Sequence, residues 1–209
     1  MEKDSSNQGQ RSSPRGQPTV ASSEMHAGMP NSASFGRFNR KRPTVSIVGD
    51  SIIKGIRKQE INRSVRQMNS FVKTFPGATT DDMESYIIPT LKREPDYLII
   101  HCGTNDLRKE EPDVIAKKIT KIALNSKKAV RNVAVSSILA RGDSDLMEEK
   151  RLQVNSLLEK SLAGNQISLI RHETFDQNWR YLLFEDGIHL NNEGTNVLGG
   201  SFVNYLNTI

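Results

Sequence analysis

Three clusters of polar residues in this sequence could together carry out acyl transfer. The first follows a β-branched run, 44–49, which ends at Asp50-Ser51 and leads at once into a hydrophobic helical stretch. A serine placed there lies at the carboxyl edge of a sheet, where open α/β proteins bind ligands. Its hydroxyl becomes a nucleophile only when a base takes the proton. Ser51 is therefore the candidate nucleophile, although a lone serine after a strand is more often a helix cap.

The candidate base and its partner lie in the segment Asp186-Gly-Ile-His189. His189 can take the proton of a serine, and Asp186 reaches the same imidazole if the segment turns back on itself. Such an acceptor holds the ring in one tautomer. A surface role for His189, and a metal site built from Asp50, Asp186 and His189, are the alternatives. The metal site lacks a fourth ligand at suitable spacing, so no metal is expected.

A tetrahedral intermediate also needs hydrogen-bond donors where its negative charge develops. Asn105, in the segment Gly103-Thr-Asn-Asp106, offers a side-chain amide. Gly77 offers an unhindered backbone N–H, and Ser51 offers its own N–H at the start of a helix. One such donor is typically worth a factor of about 10²–10³ in rate. Asp50 and Asp106 are expected to fix their turns through backbone hydrogen bonds rather than to do chemistry.

Several other reactive side chains have plainer interpretations. Cys102 is the one cysteine and lies in a buried run, so we expect a core thiol and no internal disulfide. His101 points to the opposite face of the same strand and is expected to be structural, or at most to line the pocket. His172, Phe175 and Trp179 could line an acyl pocket or simply pack in the core, and both interpretations remain open.

The elements that must position these residues alternate between strand and helix after Pro43. Strands are predicted at 44–49, 70–75, 96–102, 132–138 and 166–170. Helices are predicted at 52–58, after a cap at Thr79 or Thr80, from Pro112, at 146–162 and from Asn192, with a loop around Phe175, Trp179 and Tyr181. This alternation predicts an α/β domain with three layers (α/β/α) and a five-stranded parallel sheet in flavodoxin-like order. The polar clusters then meet at one edge of the sheet.

The N-terminal segment, 1–42, has a different composition from the rest. Half of it is Ser, Gly, Pro, Gln and Asn, which predicts a disordered, low-complexity tail or linker. It carries seven Lys/Arg against three Asp/Glu, so it holds most of the net charge of +5. Such an arm could contact RNA phosphates or serve only as a solvated linker. Residues 43–209 are expected to form one domain. No stretch resembles a signal peptide or transmembrane segment, so a cytoplasmic protein is expected.

The polar clusters resemble, in order, the four sequence blocks of the SGNH (GDSL-type) hydrolases: Gly49-Asp-Ser51, Gly77, Gly103-Thr-Asn105 and Asp186-Gly-Ile-His189. The resemblance covers residues 44–209, and Ile52 stands where Leu is commonest in that family. It implies an esterase with a three-layer fold and no cofactor. By that resemblance the catalytic residues are Ser51, Asp186 and His189, and the oxyanion hole is formed by Ser51, Gly77 and Asn105.

A narrower resemblance is to the esterase domain of the first open reading frame protein of a LINE-type retrotransposon. It is carried by Phe75-Pro-Gly-Ala-Thr79, 100–107 and 186–192. It implies a serine esterase for short, acetyl-like esters within a ribonucleoprotein particle, with lipid contact and self-association through segments outside this chain. The alternative is a lipid- or acyl-group-binding module with little turnover. No long lid insertion is visible, so we expect an open site for small acyl groups.

Overall fold

A parallel sheet of five strands forms the centre of the domain. The computed structural model describes residues 41–209, so the predictions for the N-terminal tail lie outside the described residues. The strands are β1 (Thr44–Gly49), β2 (Asn69–Thr74), β3 (Tyr97–His101), β4 (Asn132–Ser136) and β5 (Ser168–Ile170). Their spatial order is β2-β1-β3-β4-β5, and every neighbouring pair is parallel. The predicted three-layer α/β/α fold of flavodoxin-like order is confirmed.

Helices cover both faces of this sheet. They are α1 (Lys58–Ser64), α2 (Thr80–Tyr86), α3 (Ile88–Leu91), α4 (Pro112–Lys127), α5 (Asp145–Ala163), α6 (Glu173–Leu182) and α7 (Asn192–Leu206). Helices α2, α4 and α5 pack on one face, and α1, α6 and α7 pack on the other. Successive strand residues alternate between the two cores: Leu98 and Ile100 belong to one and Ile99 to the other. In residues 41–209, no helix is both long enough and apolar enough to cross a membrane.

Two predicted elements differ from the observed ones. The helix predicted at 52–58 is a 3₁₀ helix, Ser51–Gly55, and a separate helix, α1, follows it. The segment predicted as a loop around Phe175, Trp179 and Tyr181 is helix α6. Phe175 and Leu182 are buried seven residues apart, which is two helical turns, so this segment has the helical period that the loop prediction overlooked.

Helix α2 begins where a cap was predicted. Thr79 Oγ1 accepts a hydrogen bond from the N–H of Asp82, and Asp82 Oδ2 accepts one from the N–H of Thr79. This capping box satisfies two backbone donors at the helix start. Helix α2 ends at Tyr86, and Pro89 lies in the first turn of the short helix α3. The start of α2 thereby anchors the loop that contains Gly77.

Candidate active site

Ser51 lies just beyond β1, at the first position of the 3₁₀ helix. A Cβ atom on Gly49 would come within 2.6 Å of the carbonyl oxygen of His101, so glycine allows β1 and β3 to approach closely. The N–H of Asp50 donates to that carbonyl at 3.2 Å. Asp50 Oδ1 accepts from the N–H of Ile52 at 3.0 Å and caps the 3₁₀ helix. The serine is therefore fixed by the strand on one side and by the cap on the other.

The side chains of Ser51, His189 and Asp186 form a continuous hydrogen-bonded chain. Ser51 Oγ lies 3.3 Å from His189 Nε2. His189 Nδ1 donates to Asp186 Oδ2 at 2.7 Å, and this bond fixes the ring tautomer with Nε2 facing the serine. Catalytic hydrogen bonds are often long before substrate binds. The arrangement can deprotonate the serine hydroxyl.

The segment Asp186–His189, termed the acid–base turn below, is held by its own aspartate. Asp186 Oδ1 accepts from the N–H of Ile188 and from the N–H of His189, each at 2.9 Å. This turn explains how the carboxylate of Asp186 reaches the imidazole of His189, only three positions further along the chain. Burial raises the pKa of Asp186, but the hydrogen bonds from His189 and Ile188 outweigh it and lower the pKa to about 2. Asp186 is therefore ionised at neutral pH and can stabilise a protonated His189.

Gly77 and Asn105 belong to two loops that hydrogen bond to each other. Asn105 Nδ2 donates to the carbonyl oxygen of Ala78 at 2.9 Å. A primary amide has two N–H groups, so the second remains available for a ligand. Gly77 has a φ of +80°, in the left-handed region that favours glycine, and no heavy atom lies within 4 Å of the place of a Cβ atom. A ligand can therefore approach the backbone at Gly77 closely.

The Gly77 loop is tied in turn to the serine segment. Thr74 Oγ1 donates to the carbonyl oxygen of Asp50 at 2.8 Å. The N–H of Phe75 donates to the carbonyl oxygen of Gly49, also at 2.8 Å. Together with the bond from Asn105, these contacts join the segments after β1, β2 and β3 at the carboxyl edge of the sheet.

Two buried aspartates flank this edge. Asp106 accepts from the N–H and the hydroxyl of Thr80, so its carboxylate fixes the start of α2 and not its own turn, which was the prediction. Asp50 is fully buried, and its Oδ2 has no hydrogen-bond partner among the described residues. Burial raises the pKa of Asp50 to about 7; the hydrogen bond from Ile52 and the charge of His189 oppose this shift, and the charge of Asp106 adds to it. Asp50 therefore fixes the turn through its bond from Ile52, while little in its surroundings stabilises the ionised form of its carboxyl group.

A cleft with a volume of about 840 Å³ opens beside Ser51 and His189. Its walls come from the 3₁₀ helix, the acid–base turn and the start of α7; the lining includes Ile52, Lys54, Phe184 and Asn192. The predicted oxyanion donors Gly77 and Asn105 are not among its lining residues. A separate groove of about 560 Å³ lies between α4 and α5. Its serine, Ser161, bonds to Thr120 and to the carbonyl oxygen of Leu158 rather than to a base. Of these two cavities, only the cleft beside Ser51 contains a serine that is hydrogen bonded to a histidine.

The remaining candidate residues lie in the core. Cys102 is 1% exposed, and burial raises the pKa of its thiol. His101 Nδ1 lies 2.8 Å from Ser136 Oγ, and the same hydroxyl lies 2.7 Å from His172 Nε2. Burial lowers the pKa of His101 to about 4 and that of His172 to about 3, so both are neutral. His172, Phe175 and Trp179 do not line the cleft beside Ser51.

The sequence matches a profile described as the GDSL-like Lipase/Acylhydrolase family over residues 47–197. That span includes the serine, both donor loops and the acid–base turn. The chain belongs to this family. It is accordingly a carboxylic ester hydrolase. A comparison with curated proteins finds no match.

Solved structures of similar proteins show the same fold. An α/β hydrolase, LAE5, from the metagenome of Lake Arreo, Spain, is 17% identical, with a TM-score of 0.68, covering 79% of this chain and 95% of its own. Axe2, an acetylxylan esterase from Geobacillus stearothermophilus, is 15% identical, with a TM-score of 0.68, covering 78% and 94%. A member of the lipolytic protein G-D-S-L family from Veillonella parvula is 17% identical, with a TM-score of 0.68, covering 79% and 99%.

Sequence reasoning missed two residues that hold the site together, Thr74 and Arg141. Thr74 bonds to the backbone beside Ser51. Arg141 follows β4 and bonds to the carbonyl oxygen of Thr104, beside Asn105. The position of Arg141 just after a predicted strand was a signal that it lies at the same sheet edge, but not that it bonds to Thr104. Within residues 41–209, no three His, Cys, Asp or Glu side chains cluster in a way that could hold a metal ion.

Proposed function

We propose that this family member is a serine esterase in which Ser51 is the nucleophile, His189 the general base and Asp186 the residue that orients and stabilises the imidazole. The observation that carries the proposal is the hydrogen-bonded chain from Ser51 Oγ through His189 to Asp186, at 3.3 and 2.7 Å. A base within hydrogen-bond reach of a hydroxyl, itself held by a third group, is the arrangement that activates a serine.

In this mechanism Ser51 Oγ attacks the ester carbonyl carbon as His189 Nε2 takes the hydroxyl proton. The oxyanion forms beside three donors: the N–H groups of Ser51 and Gly77 and the free Nδ2–H of Asn105. Collapse of the intermediate releases the alcohol, which receives the proton from His189. Water, whose proton is taken by His189, then attacks the carbonyl carbon of the acyl-enzyme. The bond to Ser51 Oγ breaks, the carboxylic acid is released, and Ser51 receives the proton from His189. No cofactor takes part in these steps.

We propose further that the substrates are short-chain, acetyl-like esters. The cleft is open to solvent beside half-exposed catalytic side chains, since 49% of the His189 side chain and 46% of the Asp186 side chain are accessible. A deeply enclosed acyl tunnel would bury them. The acetylxylan esterase Axe2, which has the same fold, supports small acyl groups. Turnover of nitrophenyl esters of increasing chain length should fall beyond the shortest ones; a preference for long chains would contradict this.

Purified wild type and Ser51→Ala should be compared for p-nitrophenyl acetate hydrolysis. Wild type should turn over and the variant should retain only residual activity, because oxyanion donors and binding alone leave a small rate enhancement. Ser161→Ala is a matched control, since Ser161 lies in the groove between α4 and α5. It should match wild type. Equal activity in wild type and Ser51→Ala would refute the serine mechanism.

A second proposal concerns the basic tail and the resemblance to a retrotransposon protein. Seven Lys/Arg in residues 1–42 favour contact with RNA phosphates within a ribonucleoprotein. The open cleft beside Ser51 is also compatible with the alternative function, a module that binds lipid or acyl groups with little turnover. RNA affinity should be measured at two salt concentrations with and without residues 1–42. Loss of affinity and of its salt dependence on deletion would support the proposal. Equal affinity of both forms would contradict it.

A further inference from the structure

Arg141 contacts the loop that carries the proposed amide donor. Its side chain is 3% exposed, so the charge is removed from water. Nη1 donates to the carbonyl oxygen of Thr104 at 3.0 Å. Thr104 directly precedes Asn105, so one end of the guanidinium holds the backbone of the segment Gly103–Asp106, termed the oxyanion loop here.

The other end of the guanidinium orders its own loop. Nε donates to Asp143 Oδ1 and Nη2 donates to Asp143 Oδ2, both at 2.8 Å. The exposed Arg108 adds a further bond to Oδ2 at 3.0 Å. The hydrogen bonds from Arg141, aided by the one from Arg108, hold the pKa of Asp143 below its usual value although burial opposes them. Asp143 therefore stays charged. The two parallel hydrogen bonds fix the orientation of the Arg141 guanidinium relative to the Asp143 carboxylate as well as the distance between them.

The loop ordered in this way supports the acid–base turn. The N–H of Gly142 donates to the carbonyl oxygen of Gly187 at 2.8 Å. Gly187 has a φ of +66°, and a Cβ atom there would lie 2.6 Å from the backbone of both Gly142 and Asp143. The backbone of Gly187, which lies between Asp186 and His189 in the sequence, therefore packs directly against the backbone of Gly142 and Asp143.

We propose that Arg141 is a positioning residue that holds the oxyanion loop and the acid–base turn in register, a role that rests on the serine esterase mechanism proposed above. The oxyanion donor and the base act on the same intermediate, so both must be placed within about 0.5 Å of the productive geometry. Arg141 is the side chain that bonds to the first loop while ordering the support of the second. It touches no reacting atom in this arrangement.

Two variants and a matched control test this role. Arg141→Met keeps an unbranched apolar stem but removes every side-chain hydrogen bond, and Arg141→Lys keeps a charge without the bidentate geometry. Arg151→Met is the control: Arg151 is 4% exposed and bonds to Glu148 and Asp176, not to the oxyanion loop or the acid–base turn. Glu148 also accepts the N–H of Arg141, so Arg151 lies close to Arg141. Arg151→Met therefore controls for the loss of a buried positive charge in the same neighbourhood.

We expect Arg141→Met to lower kcat for p-nitrophenyl acetate by about 10²-fold with little change in KM, because misplaced groups weaken transition-state rather than ground-state binding. Arg141→Lys should fall between this variant and wild type, and it carries the test if Arg141→Met does not fold. Arg151→Met should lower Tm but leave kcat unchanged. Equal loss of kcat in both methionine variants would overturn the proposal.

Hydrogen exchange gives a readout that does not depend on turnover. Arg141→Met should speed exchange in both the oxyanion loop and the acid–base turn, and also at the N–H of Gly142, which bonds to that turn. Arg151→Met should leave exchange in both segments as in wild type. Unchanged exchange in either segment of Arg141→Met would overturn the positioning role. Absence of Ser51-dependent turnover in wild type would instead refute the esterase mechanism, while the exchange result would still decide whether Arg141 couples the two segments.

Discussion

Replacing Asp50 by Asn should stabilise the protein at alkaline pH. The carboxyl is fully buried, accepts one hydrogen bond from the N–H of Ile52, and has no partner for Oδ2 among the described residues. An ionised carboxylate in such a place is costly unless a cation or several donors support it. The charged or titratable groups that act on it are Asp106 and His189, and it in turn raises the pKa of Cys102. An asparagine keeps the bond to Ile52 without the charge.

The size of this effect follows from the pKa of Asp50, which burial raises from 3.8 to about 7. Folding raises this pKa, so the folded protein binds the proton more tightly than the unfolded chain, and stability increases as the pH falls below about 7. Between about pH 8 and about pH 5 this group should add about 3 kcal/mol to the free energy of unfolding of wild type. The Asp50→Asn variant cannot gain this contribution.

Urea unfolding of wild type and Asp50→Asn at these two pH values measures the difference. The variant should be the more stable protein at the higher pH, and its advantage should shrink by about 3 kcal/mol at the lower one. Asp143→Asn is the control of opposite sign, because hydrogen bonds from Arg141 hold the pKa of Asp143 below its usual value although burial opposes them. That variant should lose stability by the same amount at both pH values, since both lie above the pKa of this carboxyl in the unfolded chain. An Asp50→Asn effect that is equal at both pH values would refute the reasoning.

Three further predictions concern other parts of the site and core. Asn105→Ala should lower kcat by about 10²–10³-fold through loss of an oxyanion donor, and an unchanged kcat would count against that role. Gly187→Ala should lower Tm and turnover because of its φ of +66° and the 2.6 Å approach to Gly142, while Gly199→Ala, which meets no atom within 4 Å, should do neither. Burial lowers the pKa of His101 to about 4 and that of His172 to about 3, so both stay neutral in the folded protein at about pH 5, where the unfolded chain protonates them. Relative to neutral pH, wild type should therefore lose about 2 kcal/mol of stability at about pH 5 for each of these histidines. His172→Gln should remove about half of that loss in urea unfolding, and an unaltered pH dependence would contradict it.

The fold and the grouping of Ser51 with His189 follow from local signals in the sequence. β-branched runs that end in polar turns define the carboxyl edge of a parallel sheet, and residues at those ends meet there wherever they lie in the chain. The aspartate at Asp186 creates its own turn by accepting from the two backbone N–H groups ahead of it, which is a local property of that residue type.

The contacts that hold these segments together were not predictable in the same way. Arg141 reaches Thr104 across the sheet edge, and nothing in the spacing of the two residues indicates that contact. The orphaned oxygen of Asp50 depends on how completely the core closes over it, which composition does not reveal. Helix α6 differs, because its sequence does carry a signal: Phe175 and Leu182 lie two helical turns apart, and this spacing indicates a helix packed on the core rather than the predicted loop.

The central claim, that Ser51 is the nucleophile, is tested most directly by reaction with a fluorophosphonate followed by intact-mass analysis and peptide mapping. Wild type should gain one covalent adduct, on the peptide that contains Ser51, and Ser51→Ala should gain none. His189→Gln should react far more slowly, because the hydroxyl then lacks its base. An adduct on a different residue, or equal labelling of wild type and Ser51→Ala, would contradict the account.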